Sequence, residues 1–336
     1  MNVFALYSLR LQRQLLRARA LRKRHELTAV ADRTAQIRPD DILLFCTFRN
    51  EAIRLPYFMD YYRKLGINHF VMVDNGSTDG GADLVTGQSD VSLWRTDARY
   101  GDARYGMDWL MWLLGRYGHR HWALTVDVDE FLIYPFCDTR PIRALADWLD
   151  ASEVRSFGAM QLDMYPKGAI SQSPYFMGQD PFAVANWFDP GNYIMTRNDR
   201  MRNLWIQGGP RARVFFADQP RLAPALNKIP FVKWHRKYAY VSSTHMILPR
   251  GLNLVYDQGQ GEKTSGLLLH AKFINLFQDR ARQEAARGQH YRAGEQYRRY
   301  SDEQGGDPDL WCKWSEQYIN WRQLEVLGLM SKGNWA

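Results

Sequence analysis

The feature that most constrains this chain is an alternation running from Asp41 to Glu130. Four short apolar runs, at 42–47, 70–73, 91–94 and 122–126, are separated by helical or polar stretches, and two of them open into loops rich in carboxylates. Runs without internal polar alternation suit strands buried on both faces, which requires helices on both sides of a parallel sheet. The stretch ending at Leu65 has helical character and a stop at Gly66, and 107–117 repeats its apolar residues at helical spacing. The expectation is an α/β fold with a mostly parallel sheet, whose ligand loops lie at the carboxyl ends of the strands. Further on, 141–150 reads as a helix and 157–162 as a strand ending at Asp163. Residues 164–265 read as irregular and pocket-forming, rich in aromatics, Gly and Pro, and charged helices follow the run ending at His270 as far as Leu329.

Charge adds a second constraint. The 336 residues hold 44 Lys+Arg and 36 Asp+Glu, a net charge of +8. Nine basic and two acidic residues fall in 1–38, so that segment carries +7 and the remaining 298 residues only +1. The segment reads as a basic helix with Leu11, Leu15, Leu16 and Leu21 among arginines, suited either to an anionic membrane surface or to plain packing. A nucleic-acid partner is not expected, because the segment lacks interleaved aromatics and the body shows no second basic surface in sequence. Hydrophobic residues at 46% exclude a mainly disordered chain. No run approaches the about 18 apolar residues of a spanning helix. Three widely spaced cysteines, Cys46, Cys137 and Cys312, suit a reducing compartment, so a cytoplasmic location is expected.

The chemistry concentrates at two strand ends. In Asp127-Val128-Asp129-Glu130, residues i and i+2 of a strand share a face, so Asp127 and Asp129 converge. Three carboxylates in four positions repel one another unless a cation or bound protons relieve them, and hard oxygen ligands suit Mg2+ or Mn2+. The run from Asp74 to Asp79 is small and acceptor-rich, able to meet a ribose or base edge, with Ser77 or Thr78 capping the next helix. An EF-hand is excluded, since position 12 counted from Asp74 is Val85, and no Walker lysine, G-x-G-x-x-G or H-E-x-x-H pattern is present.

Taken together, Cys46-Thr47-Phe48-Arg49-Asn50-Glu51-Ala52, Val73-Asp74-Asn75-Gly76-Ser77-Thr78-Asp79 and Val126-Asp127-Val128-Asp129-Glu130-Phe131 make the chain resemble the family 2-like glycosyltransferases. The likeness is to the bacterial branch with R-N-E, D-N-G-S-T-D and D-x-D-E-F motifs. It is specific over about 42–134 and looser at Leu162 to Pro166, Gly208 to Phe215, Ser243 to His245 and Leu268 to Phe273. The resemblance implies a GT-A fold over 39–275, with a nucleotide-sugar half at 39–135 and an acceptor half at 136–275. Helical extensions would occupy 1–38 and 276–336.

The resemblance also implies roles. Asn50, Glu51, Asp74, Asn75, Ser77, Asp79 and Asp127 would meet the nucleotide-sugar, and Asp127 and Asp129 would hold Mn2+ or Mg2+. A downstream histidine would join them, His270 with Lys272 first and His245 with Arg250 second. The family's E-D base motif is missing after Asp129, so Asp163 and then Asp189 stand in as catalytic base, with Glu130 on the acceptor side. Arg211 and Arg213 would pair with phosphates or an anionic acceptor, and Trp187 and Trp234 would stack on sugars. The implied activity moves a sugar from a nucleotide-diphospho-sugar to a saccharide or lipid-linked acceptor. Surface polysaccharide or lipopolysaccharide synthesis at the inner membrane face is the implied setting. The rivals are a nucleotidyltransferase of similar fold, although Arg49-Asn50-Glu51 is not its basic Gly-rich loop, and a non-catalytic nucleotide-sugar-binding protein.

Overall fold

The computed structural model describes residues 3–256, 262–277, 279–282, 299–300 and 307–335. The strands of the first half are β1 (Thr28–Ala31), β2 (Leu43–Phe48), β3 (His69–Asp74), β4 (Val91–Arg95), β5 (Trp122–Thr125), β6 (Glu130–Ile133) and β7 (Ser156–Asp163). Those of the second half are β8 (Trp187–Phe188), β9 (Tyr193–Asn198), β10 (Asn203–Gly208), β11 (Asn227–Lys233), β12 (Ala239–Ser242), β13 (Met246–Leu248), β14 (Gly266–His270) and β15 (Glu316–Gln317). The helices used below are α1 (Val3–Lys23), α2 (Leu55–Leu65), α3 (Gly81–Thr86), α4 (Met107–Arg116) and α5 (Ile142–Ala151).

Nine strands form one sheet in the order β1-β4-β3-β2-β5-β11-β7-β14-β6. β2 to β5 are mutually parallel, and the antiparallel steps through β11 leave β7 and β14 pointing the same way. Six strands thus run in one direction, and β1, β11 and β6 oppose them. The sheet is α/β and mostly parallel in direction, as the alternation implied.

The apolar runs explain the layering. In β2, Leu44 and Cys46 meet Phe58 and Tyr62 of α2 and Leu145 and Leu149 of α5, while Leu43 and Phe45 meet Trp109 and Leu113 of α4. Two cores lie on opposite faces of one sheet, each fed by alternate residues of the same strands. α2 stops at Gly66, whose φ of +105° admits a left-handed cap. All three cysteines are free.

Three sequence expectations change. Residues 164–265 are not mainly irregular, because β11 lies in the middle of the sheet. Pro230 hid it, since a proline argues against a central strand; it falls inside a register shift between Lys228 and Phe231, where the ladder is interrupted. The N-terminal segment, read as a helical extension, packs on the body and also supplies an edge strand. β1 pairs with β4 at the sheet edge, Arg33 donates to Val91 O and Thr86 O at 2.9 Å each, and Trp109 donates to Glu26 at 2.8 Å. The C-terminal region is also less helical than expected: 307–335 contains β15 and one short helix, Trp321–Val326, whereas 283–298 and 301–306 lie outside the described residues.

Candidate functional site

The parallel strands bring their carboxyl ends to one edge, and a cleft of about 690 Å³ opens there. One wall is the turn after β2, with Arg49, Asn50, Glu51 and Arg54. The floor is the segment from Asp127 to Glu130, and the far wall carries Lys228, His245, His270 and Lys272.

The two motif turns hold each other. Asn50 N–H donates to Ser77 Oγ at 2.9 Å, Thr78 N–H to Asn50 Oδ1 at 2.8 Å, and Ala52 N–H to Asp79 Oδ2 at 2.8 Å. Asp74 is fully buried, and its Oδ1 accepts from Ser77 N–H at 2.9 Å. Asp74, Ser77 and Asp79 therefore shape the turn and do not line the cleft, whereas Asn50, Glu51 and Asn75 do. Asn75 is fixed in turn by donating to Thr96 O and Ala98 O at 3.1 and 3.0 Å.

On the floor, Asp127 exposes 58% of its side chain and Asp129 22%, while Glu130 is buried. Lys228 reaches Glu130 Oε1 at 2.8 Å and Asp127 Oδ2 at 3.8 Å. Burial lowers the Lys228 ammonium pKa, but Glu130 and Asp127 outweigh it and hold it above the usual lysine range. Asp127 lines the cleft. There, desolvation and then Glu130 push it up to about 7.

Behind the floor runs a buried polar line. His270 Nε2 lies 3.2 Å from Asp129 Oδ2, and His270 Nδ1 lies 2.6 Å from Asp163 Oδ1. Arg211 Nε donates to Asp163 Oδ2 at 2.6 Å, and Arg211 Nη2 to Gln161 Oε1 at 3.0 Å. Gln161 Nε2 closes the line by donating to Glu130 Oε1 at 2.9 Å. Burial alone would lower the histidine and raise the carboxylates. Charge wins instead, so His270 is raised and Asp129 and Asp163 are lowered. Arg211 is aimed inward by a π-helical turn, Arg211–Phe215, whose closing bond runs from Phe216 N–H to Arg211 O.

Several expected residues stand elsewhere than anticipated. Asp163 is 2% exposed, with both oxygens engaged by His270 and Arg211, so it orients His270 and does not line the cleft. Asp189 is likewise buried: it accepts from Arg213 Nε and Nη2 at 3.0 and 2.9 Å and from the Tyr165 hydroxyl. Neither Asp189 nor Arg213 lines the cleft, because each neutralises the other. His245 does line it, but its Nδ1 lies 2.6 Å from Asn227 O and its pKa is pushed down to about 3 by burial and then Lys228. Trp234 is buried in the α4-side core, with no face for a sugar.

Lys228, Gln161 and Arg54 are site residues that sequence reasoning missed. Gln161 had a signal, being two residues before Asp163 on one strand face. Arg54 had one also, at helical spacing from Glu51, which it meets at 3.0 Å. Lys228 had none, since only the insertion of β11 between β5 and β7 brings it there.

Among the described residues, no three His, Cys, Asp or Glu side chains gather as a ready metal cage. The donor set still fits a cation shared with a ligand. Asp129 and His270 offer a carboxylate oxygen and an imidazole nitrogen at the cleft, and Asp163 holds the other ring nitrogen, as outer-shell carboxylates do for metal-bound histidines. Mg2+ and Mn2+ are commonly held by one or two protein groups plus phosphates and water.

No helix of the described residues is long and apolar enough to cross a membrane. No protein-family model matches the chain, and no curated protein matches it. Among solved structures it is similar to a protein assigned as a glucose-1-phosphate thymidylyltransferase from Bacillus anthracis, in complex with a sucrose. That likeness has 9% identity and a TM-score of 0.30, and covers 86% of this chain and 95% of that one. A likeness this distant carries no argument about activity.

Proposed function

We propose that the chain is a GT-A-type glycosyltransferase that uses a nucleotide-diphospho-sugar and a divalent cation. The observation that carries this reading is the Asp129–His270–Asp163–Arg211 line at the carboxyl edge of the sheet, facing a cleft whose opposite wall is the R-N-E turn. The motif resemblance over 42–134 supports the same reading.

Asp129 and His270 would hold the cation, with Asp127 beside them on the floor. When bound, the cation supplies positive charge against the departing diphosphate. Arg54 on the near wall, Lys272 on the far wall and Arg280 all line the cleft and would face the phosphates, and Asn50 and Asn75 would meet the nucleoside. Lys228 and Glu130 neutralise each other at the floor. Proton acceptance from the acceptor hydroxyl falls to Asp127, the most open carboxylate of the floor, because Asp163 and Asp189 are sealed away. The acceptor is a saccharide or a lipid-linked saccharide, as in surface polysaccharide assembly.

The test is a thermal-shift screen of nucleotide-sugars with and without Mn2+. A stabilisation that needs both components and disappears in Asp129→Ala is expected. Equal stabilisation by a nucleoside triphosphate without any sugar would favour a nucleotidyltransferase.

A further inference from the structure

The sequence shows a basic helix; the structure shows a basic surface around it. α1 packs on α4 and β12 through Leu9, Leu16 and Ala20. On its opposite side Phe4, Tyr7, Leu11 and Leu15 recur at helical spacing, 83%, 66%, 46% and 61% exposed. Between this stripe and the packed side lie exposed Arg10 and Arg17, then Arg13, which faces Tyr238.

The loop leading to Tyr238 extends the charge onto the body. Arg236 and Lys237 are exposed, and Arg236 N–H donates to His119 Nδ1 at 3.4 Å. The His119 and His235 rings meet edge-on at 4.8 Å. Arg120 joins through its N–H to Trp234 O at 2.8 Å, and Arg155 through Lys233 N–H at 3.0 Å. Both imidazoles are held below their ordinary range, by burial first and then by neighbouring cations, as expected in a field of one sign.

We propose that this face docks on an anionic lipid bilayer, with α1 in the interfacial plane. The Phe4, Tyr7, Leu11 and Leu15 stripe seats among acyl chains, and Arg10, Arg17, Arg236 and Lys237 meet phosphate headgroups. Charge complementarity selects this occupant. A second copy would set cations against cations, and a nucleic-acid backbone would leave four exposed apolar side chains without a partner. The surface is distinct from the cleft, so the inference stands or falls independently of the proposed activity.

The test is co-sedimentation of the full chain with phosphatidylcholine vesicles, neutral or containing phosphatidylglycerol. Wild type should sediment with the anionic vesicles alone. Leu11→Ser/Leu15→Ser and Arg236→Glu/Lys237→Glu should each weaken partitioning by at least about tenfold with an unchanged melting temperature, since all four residues are exposed. No wild-type binding, equal binding to neutral vesicles, or wild-type affinity in either variant overturns the proposal. Retention of a DNA duplex by wild type and the serine variant, lost in the glutamate variant, would also overturn it and assign the surface to nucleic acid.

Discussion

Asp163 is 1% exposed at its side chain and lies between His270 Nδ1 and the Arg211 guanidinium Nε, each at 2.6 Å. Removing its charge would leave the Arg211 guanidinium buried beside neutral groups, and breaking one side of such a pair costs about 3–5 kcal/mol. Asp163→Asn is therefore expected to lose about 3 kcal/mol or more of stability in urea denaturation. A catalytic base facing the cleft would instead lose activity with little change in stability. The residue scale also shows what spacing alone conveys. Asp127 and Asp129 were legible because a strand puts i and i+2 on one face. The role of Asp163 was not, because a carboxylate at a strand end looks the same whether it faces solvent or an arginine 48 residues away.

Among elements, β14 carries His270 and has almost no spare room. A Cβ on Gly266 would lie 2.3 Å from Ile133 O and 2.9 Å from Phe157 Cε1. Gly266→Ala must push β14 away from β6, at a cost of about 1–3 kcal/mol. It should also move His270, so a lower melting temperature and weaker nucleotide-sugar binding are expected together; a change in neither would show that the strand has slack. β3 gives a pH prediction. His69 is buried at 3% exposure with Nε2 2.9 Å from Ser92 Oγ, and burial holds its pKa below the ordinary value. The unfolded chain takes up this proton first, near pH 6.5. The contribution is therefore complete above that pH and is lost as the pH falls from there through the lower folded-state value. Urea midpoints should drop between pH 7.5 and 5.5 in wild type, and drop less in His69→Gln. The parallel strands and α2, α4 and α5 were readable because their apolar periods are local. β1 and β11 were not: β1 is held by pairing at an edge with residues 62 or more positions away, and β11 conceals Pro230 in a register shift.

For the whole molecule, charge arithmetic placed +7 in residues 1–38 and assigned the rest no electrostatic role. Folding regroups charges that sequence keeps apart, bringing residues near 120, 155 and 236 together on the segment that leads to Tyr238, which acts on Arg13 of α1. The same regrouping makes the N-terminal segment part of the body. Deleting 1–38 would uncover the β4 edge and Trp109, and removes the Arg19–Asp108 pair at 2.6 Å. A lower melting temperature is therefore expected, and an unchanged one would show that the segment does not support the body. The cleft ties these scales together, since turns, strand ends and the buried line meet only there. The most direct test of its assignment is release of nucleoside diphosphate from nucleotide-sugars, with and without Mn2+, by wild type and Asp129→Ala. The account predicts metal-dependent release by wild type, reduced about 100-fold or more in Asp129→Ala. Undiminished release by Asp129→Ala, or pyrophosphate release from a nucleoside triphosphate and a sugar phosphate instead, would contradict it.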